Sequence, residues 1–113
     1  MNPLVSVIIP VFNGERFLAE AIESALAQDY HPLEIVVADD GSSDGSVAVA
    51  RSFPRVTVLE LPHGGVSIAR NSAVAASTGE WLAFLDADDL WYPEKISRQV
   101  ATAAPSPNIG IVL

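Results

Sequence analysis

The chain has 113 residues, enough for one domain around one core. Half are hydrophobic and 18% are charged, which excludes a disordered chain. Fourteen acidic against six basic residues give a net charge of -8, which argues against nucleic acid and anionic membranes as partners, and the lack of cysteine excludes disulfides, thiolate catalysis and cysteine-ligated zinc.

The opening MNPLVSVIIPVFNGE has no basic n-region, and Pro10 and Asn13 punctuate its apolar run, so it is not read as an export signal. No apolar stretch reaches the roughly 20 residues that span a bilayer. A cytoplasmic protein that does not span a membrane is the expectation. Within that opening, VSVIIPVF is dense in β-branched residues without a polar face, the mark of a strand buried on both sides. Asn13-Gly14 ends it. ERFLAEAIESALAQ then sets Phe17, Leu18, Ala21, Ile22, Ala25 and Leu26 at helical spacing, with Glu15, Glu20 and Glu23 outward. His31-Pro32 breaks that helix, and LEIVVADD is a second buried strand.

GSSDGSVAVARSF predicts a loop and a short helix, with Ser43 or Asp44 as N-cap. RVTVLEL is a third strand, near a sheet edge, and GGVSIARNSAVAAS a small-residue helix closed by Gly79. EWLAFLDADD is a fourth strand, Pro93 opens the helix PEKISRQVATAA, and NIGIVL starts a fifth strand.

Strands alternating with helices predict an α/β fold with a mostly parallel, doubly wound sheet. Such sheets bind ligands at the carboxyl ends of their strands. Polar residues gather there: Asn13 after the first strand, Asp39 and Asp40 after the second, Asp86, Asp88 and Asp89 after the fourth. A carboxylate at Asp40 would accept a hydrogen bond from a ribose or a base N–H, whereas Asp44 needs no more than a turn and a cap. Phe12 is either core or a stacking platform at the rim. Arg70 either reaches a phosphate or pairs with a rim aspartate. His31 and His63, beside prolines, are given no role.

The acidic cluster poses an electrostatic problem. Carboxylates about 5 Å apart repel by about 3 kcal/mol per pair at an effective dielectric near 20. Asp86 and Asp88, two residues apart, can point into one cleft, and oxygen-only ligands suit Mg²⁺ or Mn²⁺ bridging to phosphate oxygens. For Asp89, helix cap and site residue stay open. The dinucleotide fingerprint, the P-loop and the nucleophile elbow are all missing.

VSVIIPVFN, EIVVADDGSSDGS and GGVSIARNSAVAASTGEWLAFLDADDLWYP together resemble the N-terminal part of a family 2 glycosyltransferase with the GT-A fold. The resemblance implies transfer of a sugar from a nucleotide-diphosphate sugar to an acceptor hydroxyl, usually with inversion, with Mn²⁺ or Mg²⁺ as cofactor. It implies that Pro10, Val11, Phe12 and Asn13 line the nucleobase pocket, Phe12 against the ring. Asp40 would bind the base with Asp39 beside it. Arg70, Asp86, Ala87 and Asp88 would complete the nucleotide-sugar site, Asp88 ligating the metal and Asp86 supporting it. The family's general base and acceptor site lie in the half that follows. The expectation is therefore that residues 1–113 form one truncated donor-binding portion without a catalytic base, its acceptor undefined. An apolar final strand with little cover predicts self-association through the sheet edge.

Three other readings use the same residues. A non-catalytic nucleotide-binding fragment would differ from the enzyme only in turnover. A phosphohydrolase of the haloacid dehalogenase kind also uses aspartates two apart, but there the motif opens the domain. A response-regulator switch would need a lysine at the end of its last strand, and the only lysine is Lys95 on a predicted helix.

Overall fold

The computed structural model describes residues 2–103 and 111–113. Strands and helices alternate: β1 (Val5–Val11), α1 (Leu18–Leu26), β2 (Leu33–Asp39), α2 (Ser46–Arg51), β3 (Val56–Glu60), α3 (Val66–Ala76), β4 (Trp81–Phe84), α4 (Lys95–Thr102) and β5 (Ile111–Val112). The sheet runs β3-β2-β1-β4-β5, with every pair parallel. The chain steps outward from β1 to the edge strand β3, then returns to lay β4 on the other side of β1. The order therefore reverses between β1 and β4, and the carboxyl ends of those strands flank the switch point.

All seven residues of β1 are buried, which explains its lack of a polar face. Its odd residues Val7, Ile9 and Val11 meet Leu18, Ala21, Ile22 and Ala25 of α1. On the same side Val5, Trp81 and Ala83 meet Ile96 of α4. On the opposite face Ile8, Val36 and Ala38 meet Ala69 and Ala73 of α3, whose small side chains let that helix approach closely. One buried polar residue interrupts β1. The Ser6 hydroxyl donates to Glu34 at 2.8 Å and accepts the Gly79 N–H at 2.8 Å.

Pro10 sits inside a central strand, where proline ordinarily forfeits a ladder bond. The Ile8 carbonyl accepts the Leu85 N–H at 3.0 Å, so Ile8 faces β4. Pro10, two residues on, faces the same way by the strand's period of two. Pairing between β1 and β4 runs only from Val5–Trp81 to Ile8–Phe84. The proline therefore lies just past the ladder, forfeits no bond there, and marks where the two strands part.

Several boundaries differ from the sequence expectation. α1 starts at Leu18, and Phe17 at its N-cap is exposed rather than packed inward. The residues before it tie down a neighbouring loop: the Glu15 carboxylate accepts the Gly45 N–H at 3.0 Å. α4 starts at Lys95, not at Pro93, and the carbonyls just before it also bond to the segment after α1. Tyr92 O accepts from Gln28 Nε2 at 2.8 Å, and Pro93 O from the Asp29 N–H at 2.9 Å. α3 is closed by extended Ser77, not by Gly79. Gly79 serves a close approach instead, since a Cβ there would lie 2.8 Å from Ser6 N. Of the fifth strand, only Ile111–Val112 falls among the described residues; 108–110 lie outside them.

Candidate active site

At the end of β1 the chain turns sharply through Asn13, whose φ is 51°. Its Oδ1 accepts the Ser43 N–H at 2.9 Å, while its own N–H donates to Ser42 Oγ at 2.8 Å. The turn is thereby tied to the loop after β2. Pro10, Val11, Phe12 and Asp40, together with Val66 and Ala69 at the start of α3, line a recess of about 60 Å³. Phe12 is half exposed, so it belongs to the rim and not to the core.

Asp39 and Asp40 are both buried, at 3% and 4% exposure, but they are bound differently. Asp39 Oδ2 accepts the Ser42 N–H at 3.0 Å, and its buried Oδ1 has no partner among the described residues. Asp40 is held from several sides. Its Oδ1 accepts the Gly64 N–H at 2.8 Å and the Gly65 N–H at 3.2 Å, and Oδ2 lies 3.1 Å from Gly65 N. His63 Nδ1 stands 3.0 Å from Oδ2 and 3.0 Å from the Asp40 carbonyl. The Gly64 N–H first, then Gly65 and His63, hold the Asp40 carboxyl below the usual carboxylate range, against the opposing effect of its burial. Two glycines make this cradle. Gly65 has φ 106°, which a side chain rarely tolerates. Gly41 has φ 76°, and a Cβ there would meet His63 N at 2.7 Å.

His63 was given no role from its sequence context. The structure sets its ring 4.4 Å from that of Phe12, centroid to centroid, at 31°. The HGG triplet following a strand was the available signal, because paired glycines ahead of a helix offer backbone N–H groups to an anion.

Asp44 takes the modest role expected of it, though from one position before the N-cap Gly45. Its Oδ1 accepts Ser46 Oγ at 2.6 Å and the Ser46 N–H at 2.9 Å, and Oδ2 accepts the Glu15 N–H at 3.2 Å. The Ser46 hydroxyl is the main cause that lowers its carboxyl below the ordinary value. Carboxylates lowered in the fold contribute stability that is complete above their unfolded values, near pH 4, and that is lost as pH falls through the folded ones. Thermal midpoints are therefore expected to hold from pH 7 to about 5 and to drop below about 4, with a shallower acid slope in Asp44→Asn.

The acidic cluster begins where β4 stops. Leu85 is buried and still bonds to β1, whereas Asp86, Asp88 and Asp89 are exposed. Ala87 packs against the core beneath them, and a Cβ on Gly14 would lie 3.7 Å from its Cβ. This places the acidic turn beside the end of β1. Asp86 pairs with Arg70 Nη2 at 3.5 Å, and the Arg70 guanidinium carbon lies 6.0 Å from the Phe84 ring centroid. Arg70 thus takes the aspartate partner that the sequence left as one of its two options. Asp89 does not cap α4; it accepts the N–H of its neighbour Leu90 at 2.9 Å. The repulsion of the cluster is relieved by exposure to water and by Arg70. Past the turn, α1 and the residues after it clamp the chain: Ser24 Oγ accepts the Trp91 N–H at 3.2 Å, and Gln28 Oε1 accepts the Ile96 N–H at 3.0 Å.

Among the described residues no group of three or more acidic or histidine side chains forms a cation cage. Two exposed carboxylates, Asp86 and Asp88, fit the other common mode, in which Mg²⁺ or Mn²⁺ is held by one or two carboxylates plus phosphate oxygens. No helix of the described residues is long and apolar enough to cross a membrane.

The parallel sheet, with an anchored acid, a half-exposed aromatic and an acidic turn along its carboxyl rim, is a glycosyltransferase fold of the GT-A type. The chain belongs to glycosyl transferase family 2, whose model matches residues 6–113. It is similar to an uncharacterized glycosyltransferase of Rickettsia typhi, 43% identical over 100 residues, covering 88% of this chain and 31% of that protein. A second, from Nostoc sp., is 40% identical over 113 residues, with 96% and 35% covered. The chain thus spans about a third of the length of these relatives. Among solved structures, S. aureus TarS 1-349 in complex with UDP aligns with TM-score 0.80 and 30% identity over 86% of this chain and 31% of that one. The mannosyltransferase PcManGT from Pyrobaculum calidifontis, in complex with GDP-Man and Mn²⁺, aligns with TM-score 0.82 and 32% identity over 88% and 32%. The hydrolase reading finds no support in these relatives, and its aspartate pair would follow the first strand, not β4.

Proposed function

We propose that this chain is the donor-binding portion of an enzyme that transfers a sugar from a nucleotide-diphosphate sugar to an acceptor hydroxyl. The observation that carries the reading is that the Phe12–Asp40 recess, at the ends of β1 and β2, and the Asp86–Asp88 turn, at the end of β4, lie on the same carboxyl rim of the sheet. The nucleobase stacks on Phe12 and is read by Asp40, with Pro10 and Val11 as the apolar floor. Asn13 holds the first strand's turn to the second strand's loop, and Asp39 braces the same loop from below. Asp88 holds the divalent cation with Asp86 in support, and Arg70 fixes the position of Asp86. When bound, Mn²⁺ or Mg²⁺ neutralises charge on the departing nucleoside diphosphate. Acceptor recognition and the general base are assigned to the remaining length of the relatives, so the chain alone binds the donor and transfers little or nothing. Similar proteins in complex with UDP and with GDP-Man and Mn²⁺ support the substrate class.

Calorimetric titration with UDP, GDP, CDP and ADP, with and without Mn²⁺, tests this reading. Binding of at least one nucleotide, strengthened by Mn²⁺, is expected. No binding of any of them at millimolar concentration would refute it, and sugar transfer at an enzyme's ordinary rate would refute the assignment to a donor-binding portion.

A further inference from the structure

Resting on that reading, we propose that His63 is an internal stand-in for the nucleobase, a ring that the donor must displace from Phe12 and Asp40 and that thereby selects bases carrying a ring N–H. Its imidazole makes the two contacts that a base would make in this recess. It lies against the Phe12 ring at 4.4 Å, and its Nδ1 reaches Asp40 Oδ2 at 3.0 Å. Both atoms that Nδ1 faces, a carboxylate oxygen and a carbonyl oxygen, are acceptors, so Nδ1 carries the proton.

His63 holds the place on Asp40 Oδ2 that a base would take. The Gly64 and Gly65 N–H groups and His63 Nδ1 already occupy both oxygens. The glycine donors are fixed in the backbone at the start of α3. His63 is the donor able to leave, because its side chain is 61% exposed while that of Asp40 is 5% exposed. The recess itself measures about 60 Å³. His63 touches two of the six residues that line it.

The exchange is conservative only for some ligands. A base with a ring N–H, as in uracil or guanine, gives Oδ2 a donor in place of Nδ1. A base whose ring nitrogen at that edge is an acceptor, as in cytosine or adenine, sets a lone pair against Oδ2 and leaves it only the Gly65 N–H.

The test is titration of UDP and CDP into the wild-type chain, His63→Ala and His63→Asn. Breaking the contact before binding reduces apparent affinity, so His63→Ala is expected to bind UDP about three- to tenfold more tightly than wild type. His63→Asn, which keeps a donor but no ring to stack, should fall between the two. Wild-type binding of UDP that is unchanged or weakened by His63→Ala overturns this inference alone. Binding of CDP as tight as UDP overturns the selection by ring N–H. Absence of nucleotide binding in all three proteins overturns the donor-site reading and this inference with it.

Discussion

Asp40→Ala is expected to lower nucleoside diphosphate affinity by about a hundredfold, the order of loss when one partner of a buried hydrogen-bonded charge set is truncated. Two effects combine. The ligand loses its acceptor, and the recess loses the post on which its β3–α3 wall is built. Gly64 N and Gly65 N both end on this carboxylate, and without it they face a buried void. Asp40→Asn should be nearly as damaging, because its amide turns N–H groups toward backbone donors. Asp40→Ala is therefore expected to raise hydrogen exchange at Gly64 and Gly65 while leaving β1 and β2 protected. Isothermal titration with UDP or GDP reads the first effect, and exchange mass spectrometry the second. Unchanged exchange at those glycines would contradict the anchoring role, and unchanged affinity the ligand role. The contrast with His63→Ala is informative: one substitution removes the acceptor, the other frees it.

The sheet was readable because its signals are local. VSVIIPV and LEIVVAD are dense in apolar residues, broken inside only by Ser6 and Glu34, and a strand buried on both faces needs little else to declare itself. The polar residues that follow each run gave the rim. Helix boundaries were less legible, because their residues also answer to partners distant in sequence. Pro93 reads as a first helical residue, yet the helix starts at Lys95 and the Pro93 carbonyl bonds to Asp29. Gly79 reads as a helix stop, yet what it answers to is Ser6, in a strand at the far end of the sequence. His63 was missed for the same reason. Its meaning lies in Phe12 and Asp40, and its sequence neighbours, a proline and two glycines, describe only a loop. Arg70 was posed correctly as a choice, but only folding could show that the rim aspartate it meets is Asp86.

Asp88→Ala is expected to remove the Mn²⁺-dependent part of nucleoside diphosphate binding, lowering affinity in Mn²⁺ by at least about a hundredfold. That bound follows because second-shell changes alone cost 10–100-fold in metal affinity. Asp88 and Asp86 differ in how freely they can serve a cation. Asp86 already has the Arg70 guanidinium at 3.5 Å, which neutralises part of its charge, whereas Asp88 is exposed with no ion pair among the described residues. Asp86→Ala should therefore cost less, and it should also release Arg70. Arg70→Ala separates the two roles. If the arginine only positions Asp86, its removal leaves a stronger cation site with a less ordered carboxylate. Metal affinity then holds or rises while nucleotide affinity falls modestly. If Arg70 contacts a phosphate directly, nucleotide affinity falls with and without metal alike. Titrations of Mn²⁺ alone, followed by electron paramagnetic resonance of the free ion, and of nucleotide with and without Mn²⁺ distinguish these outcomes. Equal nucleotide affinity in wild type and Asp88→Ala, at saturating Mn²⁺, would remove Asp88 from the cation site.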